Sequence, residues 1–330
     1  MPTYAIGVDL GGTNLRIAAV DEQGTLLEKT TLGAQVSRGR DFVIGEICDA
    51  IRALSLKLHG VGTLKGIGIG VPGIIEMETG TVVQSPNLPD WRDYPARREI
   101  ETRLGTTVIL ENDANAAALG EKWLGAARDC DSMLMFTLGT GVGGGLVLDG
   151  RVWHGMNGMA GEIGHITVEP NGQLCGCSNR GCLEQYASAT AVVRMAREAI
   201  ASGAPTELKC VAETPGQEFS ARIIYQLAMQ GDAEAKKIWE RVGRALGISL
   251  GAMVNALNLQ MYVIGGGVAS AWELFAPSMF DELRKRSYIY ASTMPAGAEN
   301  EPKAKQTIIT RALLGSDAGL FGAARLPMME

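Results

Sequence analysis

Gly161-Glu162-Ile163-Gly164-His165, then Cys175-Gly176-Cys177, then Gly181-Cys182-Leu183-Glu184 form the stretch from which the rest of this chain can be read. Three of the six cysteines fall within eight positions, and one of the three histidines stands ten positions before the first of them. Thiolate sulfur and imidazole nitrogen are the ligands a structural tetrahedral zinc prefers. Gly176 and Gly181 would allow tight turns that aim several ligands at one point. Two other readings compete. A disulfide requires an oxidising compartment, and small buried thiols fill cores without any metal. Cys48, Cys130 and Cys210 are scattered and read as core residues of that last kind. Glu162 and Glu184 flank the cluster. If His165 and Cys182 share an ion, both carboxylates come near it, and two carboxylates at one point suit a ligand rich in hydroxyls. Taken singly, each reads as a surface glutamate.

Immediately upstream, Met133–Leu138 is a strand-like run followed by Gly139-Thr140-Gly141-Val142-Gly143-Gly144-Gly145. Gly139, Gly141 and Gly144 match the dinucleotide pattern G-x-G-x-x-G, but that fingerprint opens a helix. Here Leu146-Val147-Leu148 leads into the hairpin dipeptide Asp149-Gly150 and on to Arg151-Val152-Trp153, so the plan is strand, glycine turn, strand, tight turn, strand. The N-terminus repeats it. Tyr4–Val8 runs into Asp9-Leu10-Gly11-Gly12-Thr13-Asn14, Leu15–Val20 resumes as a strand, Asp21–Gly24 turns, and Thr25–Thr31 is a third strand. A glycine turn of this kind leaves backbone N–H groups able to receive phosphate oxygens, with Asp9 at its mouth; the bland alternative is a plain glycine hairpin. Two copies of one plan point to duplicated halves facing each other across a cleft. The Walker sequence G-x-x-x-x-G-K-[ST] does not occur.

Between the copies, helical spacing covers Asp41–Leu58, a strand Gly66–Val71 stops at Pro72-Gly73, and Ser85-Pro86-Asn87 and Trp91 read as loop. Pro95–Leu104 reads as helix and Thr107–Leu110 as strand. Glu111-Asn112-Asp113 then closes a strand where an alanine-rich helix begins. Asp113 fits an N-cap, the common use of Asp there; its functional reading is a carboxylate at a strand tip, where α/β folds place their chemistry. Beyond the cysteine cluster come helices over Ser188–Ser202, Ser220–Gln230 and Asp232–Leu257, and a strand Met261–Ile264 ending in a third glycine turn, Gly265-Gly266-Gly267. Helix Trp272–Arg286, a linker-like Gly297–Lys305, strand Thr307–Thr310 and helix Asp317–Ala324 complete the chain.

At 330 residues, 46% hydrophobic and 20% charged, the chain reads as a soluble globular protein of two lobes. A net charge of −6 provides no attraction for nucleic acid or an anionic membrane. No basic leader precedes an apolar stretch and no run reaches the length of a membrane span. The cytoplasm is the expected compartment, and there clustered cysteines favour metal over disulfides.

The motifs Asp9–Asn14, Glu111–Asn115, Leu138–Gly145, Gly161–His165, Cys175–Glu184 and Gly265–Gly267 stand in the order found in the ROK family. This group of sugar kinases and repressors lies within the actin–hexokinase fold, and the chain resembles it over nearly its whole length. The resemblance implies a two-lobed α/β fold, actin/hexokinase-like (ribonuclease H-like), with duplicated β-β-β-α-β-α halves around a cleft. Residues 1–112 plus 311–330 would form a small domain, and 113–310 a large one carrying the zinc site and nucleotide loops. It implies ATP, Mg²⁺ and a structural Zn²⁺ as cofactors and a hexose as substrate. Asp113 is similar to the base that takes the proton from the sugar's 6-hydroxyl. Asn112, Glu162, His165 and Glu184 match residues that hold the other hydroxyls, with Asn87 and the backbone at Gly73. His165, Cys175, Cys177 and Cys182 match the zinc ligands. Gly11, Gly12 and Thr13 with Asn14, then Gly139, Thr140 and Gly141, then Gly265, Gly266 and Gly267 match the nucleotide loops, and Asp9 the carboxylate that orients Mg²⁺ through water.

Within the group the chain is most similar to the ATP-dependent glucokinases, especially over Gly155–His165, so glucose is the expected acceptor. N-acetylmannosamine, N-acetylglucosamine, fructose and allose are the alternatives. The resemblance also implies a homodimer. The family's repressors carry a helix-turn-helix domain ahead of Asp-Leu-Gly-Gly-Thr, and here eight residues precede Asp9, so no nucleic-acid partner is expected. An NAD-dependent oxidoreductase, suggested by Gly139–Gly144, conflicts with the hairpin context. One position departs from the family pattern: Ser178 stands where glycine is usual.

Overall fold

A computed structural model describes residues 2–295 and 305–329. The linker-like Gly297–Lys305 lies outside the described residues except for Lys305. The first part of the chain runs β1 (Thr3–Leu10), β2 (Asn14–Asp21), β3 (Leu26–Gly33), α1 (Arg40–Lys57), β4 (Thr63–Val71), β5 (Ile74–Glu76), β6 (Thr81–Gln84), α2 (Ala96–Leu104), β7 (Ile109–Asn112) and α3 (Asp113–Trp123). The second runs β8 (Met133–Leu138), β9 (Val142–Leu148), β10 (Arg151–Val152), α4 (Glu184–Ala187), α5 (Ala189–Ala201), α6 (Leu208–Ala212), α7 (Ala221–Gln230), α8 (Ala233–Leu257), β11 (Met261–Gly265), α9 (Trp272–Arg286), α10 (Tyr288–Thr293), β12 (Ile308–Arg311) and α11 (Ala318–Arg325).

One sheet has the order β3-β2-β1-β4-β7 and the other β10-β9-β8-β11-β12. These are the same topology written twice: a meander of three strands, then two more added beyond its first strand. In the first sheet β1 pairs antiparallel with β2 and parallel with β4, and β4 pairs parallel with β7. The expected Asp149-Gly150 turn is confirmed: φ is 49° at Asp149 and 76° at Gly150, the paired positive values that a two-residue hairpin needs. The chain folds as two compact units, one comprising Met1–Met135, Gly145–Gly161 and Ala312–Glu330, the other Phe136–Gly144 and Glu162–Arg311.

The alternation of residue size along β1 and β4 decides what covers each face of the first sheet. Tyr4, Ile6, Val8 and Leu10 of β1 and Ile67, Ile69 and Val71 of β4 belong to one core with Val43, Ile44, Ile47 and Ile51 of α1. Between them stand Ala5 and Gly7 of β1 and Gly68 and Gly70 of β4, all small. A Cβ on Gly7 would lie 2.4 Å from the Leu320 carbonyl, and one on Gly68 would lie 1.9 Å from that of Ala323. So α11 rests directly on the strand backbone. It also meets α3, where a Cβ on Gly120 would come within 2.1 Å of the Ala318 carbonyl. Backbone atoms cannot move aside as flexible side chains can. Gly68→Ala is therefore expected to cost about 2–3 kcal/mol through overpacking. The measurement is a lower urea midpoint at unchanged slope, and an unaltered midpoint would mean that α11 does not sit on β4.

Short elements escaped the sequence pattern. The β5–β6 hairpin and the helices α6 and α10 are three to six residues each, too brief to show a period. Trp91, expected in a loop, is a fully buried residue of the turn Pro89–Trp91 and packs edge-on against Tyr94 at 5.6 Å.

Candidate active site and metal centre

In the first unit, strand register gathers the candidate residues. Asp9 lies opposite Gly70, Gly70 opposite Glu111, and Val71 opposite Asn112. These are the carboxyl ends of neighbouring parallel strands, where open α/β sheets place their ligands. Asn112, not Asp113, caps α3. Its backbone is extended, and its side-chain oxygen accepts from the N–H groups of Ala114 at 2.9 Å and Asn115 at 3.1 Å. The cap expected at Asp113 is thus one residue earlier. Asp113 is the first helical residue, and its Oδ1 accepts from the Ala114 N–H at 2.9 Å. Asn112 Nδ2 donates to the Gly73 carbonyl at 3.0 Å. Gly73 has φ 113°, and a Cβ there would lie 2.3 Å from the Gln84 carbonyl, so a residue with a side chain cannot take its place. Asn87 stands beside the first glycine turn, 3.9 Å from where a Cβ on Gly12 would be. The N–H of Gly11 closes that turn by donating to Asn14 at 2.8 Å. Asp9 is paired with Arg16 at 3.1 Å. Burial pushes its carboxyl up, against the pull of Arg16, so a nearby cation would find a carboxylate it can stabilise.

Two residues given no role in the sequence reading support this group. Glu111 is 1% exposed. Its Oε1 accepts from the Asn112 N–H at 2.9 Å and Asn115 Nδ2 at 3.0 Å, while Oε2 lies 2.7 Å from His154 Nε2. The hydrogen bond to Glu111 raises the His154 pKa above its ordinary value, and burial opposes this less strongly. A raised pKa means that protonated His154 favours the fold. That contribution is complete below about pH 6.5, the ordinary histidine value, and fades as pH rises through the folded value. The difference in urea midpoint between the native chain and H154Q should accordingly shrink with rising pH. A constant difference from pH 6 to 9 would contradict the pairing.

In the second unit the cysteine loop folds back on His165. His165, Cys175, Cys177 and Cys182 place one ligand atom each within 4.8 Å of the others. Cys177 Sγ and Cys182 Sγ are 3.6 Å apart, and Cys175 Sγ is 3.7 Å from His165 Nδ1. Zn–S bonds of about 2.3 Å at the tetrahedral angle put two sulfurs about 3.8 Å apart, so the donor set fits a zinc ion. It does not fit a disulfide, and all six cysteines are free. Burial, with the neighbouring thiols, pushes the Cys182 thiol up to about 12. A divalent cation is the partner that would hold it as thiolate. The side-chain amides of Asn179 and Gln185 donate toward Cys182 and Cys175 at 3.5 and 3.6 Å, which steadies the sulfurs.

Backbone geometry explains the loop. Gly181 is required, with φ 70° and a Cβ position 1.6 Å from the Glu169 carbonyl. Gly176 is not, since its Cβ position is open. The second left-handed residue is Ser178, at φ 72°, which accounts for the glycine usual at that place. Ser178→Gly relieves about 1–2 kcal/mol of left-handed strain against about 0.4–1 kcal/mol of unfolded-state entropy. A melting temperature equal to or slightly above that of the native chain is expected, and a clear fall would refute the strain.

Glu162 and His165 lie on one short turn, with His165 Nε2 3.9 Å from Glu162 Oε2. Nδ1 thus faces the sulfurs and Nε2 faces the carboxylate. Glu184 is held differently: its Oε2 accepts from the Val142 N–H at 3.0 Å and lies against Gly141, where a Cβ would be 2.4 Å away. Glu184 therefore joins the cysteine loop to the glycine turn after β8. In that turn the Gly139 carbonyl accepts from the Ala189 N–H and the Thr140 carbonyl from Thr190 Oγ1, both at 2.8 Å. Because each peptide is planar and trans, the N–H groups of Thr140 and Gly141 point the opposite way, away from α5. The turn Gly265–Gly267 packs beside it. Gly266, at φ 85°, would place a Cβ 2.4 Å from the Leu138 carbonyl, while Cβ positions on Gly139 and Gly267 meet nothing within 4 Å. Two glycine turns side by side, open at Gly139 and Gly267 and with the Thr140 and Gly141 N–H groups turned from α5, can receive phosphate oxygens.

Known proteins share this plan. The glucokinase of Thermotoga maritima is 39% identical over 321 residues, 97% of this chain and 96% of that protein. A xylose repressor of Caldicellulosiruptor sp., described as putative, is 33% identical over 288 residues, 86% of this chain but 71% of that one. The crystal structure of a ROK family glucokinase from Streptomyces griseus in complex with glucose and AMPPNP superposes with a TM-score of 0.78 at 34% identity, covering 99% of this chain and 100% of that one. The family model described as ROK family matches residues 5–329, and with the metal cluster, the duplicated sheets and the glycine turns in place, the chain belongs to the ROK family.

Proposed function

We propose that this protein transfers the γ-phosphoryl group of ATP to the 6-hydroxyl of a hexose, with glucose as the preferred acceptor. The observation that carries the reading is the placement of Asp113: a carboxylate on the first turn of α3, at the carboxyl end of the sheet, beside an Asn112 tied to Gly73. The glucokinases among its relatives support the choice of sugar.

Phosphoryl transfer asks the protein for positioning and charge neutralisation more than for covalent chemistry. Asp113 accepts the proton of the 6-hydroxyl as that oxygen bonds to the γ-phosphorus and the bond to the β-phosphate oxygen breaks, releasing ADP. Asn112, Glu162, His165 and Glu184, with Asn87 and the Gly73 backbone, hold the remaining hydroxyls, since ionised and amide oxygens accept strongly from them. The turns at Gly11–Asn14, Gly139–Gly141 and Gly265–Gly267 take the nucleotide. Mg²⁺ would be held near Asp9 and would neutralise phosphate charge. Zn²⁺ would occupy all four donors of His165, Cys175, Cys177 and Cys182, leaving no position for substrate, so its part is structural. Held there, it would fix the ring of His165 through Nδ1, so that Nε2 stays available to the sugar.

A coupled ADP-release assay over glucose, N-acetylmannosamine, N-acetylglucosamine, fructose and allose tests this. Glucose should give the highest kcat/KM. Strong turnover of an amino sugar with none of glucose would move the substrate but keep the kinase, and no turnover of any would end the reading. The reading includes a cytoplasmic homodimer with neither nucleic acid nor membrane as partner. No described helix is long and apolar enough to cross a membrane. Light scattering that returns the mass of one chain would correct the dimer.

A further inference from the structure

A buried carboxylate needs donors for its oxygens, or it loses much of the stabilisation it left behind in water. Glu111, the residue before the Asn112–Asp113 pair, draws two of its donors from the β7–α3 segment itself: the Asn112 N–H and the Asn115 side chain. The third comes from elsewhere. His154, in the stretch after β10, reaches Oε2 across 43 residues of sequence at 2.7 Å. The backbone of His154 is engaged as well, since its carbonyl accepts from the Ala160 N–H at 3.2 Å. Ala160 stands two residues before Glu162. One residue is thus bonded through its side chain to the carboxylate two residues before Asp113 and through its main chain to Ala160, two residues before Glu162.

We propose that His154 is a positioning residue for phosphoryl transfer. It locks the Glu111 carboxylate, which in turn holds the Asn112 N–H just before Asp113 and the Asn115 side chain on the first turn of the helix that carries Asp113. The inference rests on the kinase reading of Asp113. His154 touches none of the reacting atoms in this account. Without it, Glu111 turns toward another donor, and the Asn112 N–H loses its fixed acceptor. Small displacements of a catalytic group are expensive, about a hundredfold in rate for about 1 Å.

The side-chain reach of Nε2 makes the test sharp. In H154Q the amide nitrogen takes nearly the place of Nε2 and can donate to Glu111. In H154N it is one methylene short. H154N is expected to lower kcat by about 10- to 100-fold with KM for ATP within about twofold, and H154Q to return to within about threefold of the native chain. E111Q, which keeps the volume but removes the charge that holds His154 and leaves one acceptor oxygen in place of two, should resemble H154N and serves in its place if H154N does not fold. A purely structural histidine would shift the melting temperature of both variants and leave kcat alone. Native-like kcat in folded H154N, or H154Q as slow as H154N, overturns the proposal. A native chain that phosphorylates no sugar in the panel instead overturns the kinase reading, so the two failures are told apart by the native control.

Discussion

Asp113→Asn should reduce kcat for glucose phosphorylation by at least about a hundredfold, because a positioned general base is worth about 10²–10⁴ in rate. The exchange is nearly isosteric. The amide oxygen can still accept from the Ala114 N–H, and Asn112 still caps α3, so the helix has no reason to unwind. A negative charge on the first turn favours the helix by about 0.3–1 kcal/mol, and that is the extent of the expected loss of stability. Glucose binding, measured by calorimetry, should weaken far less than kcat falls, since the other hydroxyl partners remain. A hundredfold loss corresponds to about 2.7 kcal/mol of transition-state stabilisation. An Asp113→Asn protein with kcat within tenfold of native would remove Asp113 as the base and, with it, the main support for the proposed reaction.

The second large effect is expected at the cysteine loop. Cys182 is completely buried, and Cys182→Ser replaces a soft thiolate by a hydroxyl that binds zinc poorly. Bound zinc should fall from one equivalent to near none. Removing a structural zinc abolishes folding in small domains built around the metal. Here the second unit also has apolar packing of its own, with Leu246, Leu250, Val254 and Phe275 buried, so a melting temperature lower by several degrees is expected rather than an unfolded chain. The functional effect should exceed the stability effect. Glu162 and His165 share the turn that the metal would anchor, so KM for glucose should rise at least about tenfold while KM for ATP changes little. A Cys182→Ser protein that still holds one zinc would show that Cys182 is not a ligand, and one that loses zinc yet binds glucose as the native chain does would show that the metal does not anchor the Glu162–His165 turn.

Much of the site was legible in the chain because its signals are local. Cys175, Cys177 and Cys182 announce a metal through residue type and spacing alone, and Asp149-Gly150 announces a hairpin through two dihedral angles. The refusal of the dinucleotide pattern at Gly139–Gly144 was legible too, since a strand rather than a helix follows. The short elements were not, because three residues cannot display a period. The role of Asp113 also resisted local reading. Asn112 and Asp113 are both good caps, and only backbone angles and the Asn112 hydrogen bonds assign the duty to Asn112.

Sequence by itself determined the order of the longer strands and helices, the repeated strand plan, the grouping of the candidate metal donors and the glycine turns, since periodicity, ligand chemistry and turn propensity act over a few residues. Tertiary structure alone decided the pairing of Glu111 with His154, the grip of Glu184 on the Val142 peptide 42 residues away, and the seating of α11 on Gly7 and Gly68. Those contacts form only when the chain closes on itself. A carboxylate carries no local mark of which distant donor will meet it once both are withdrawn from water.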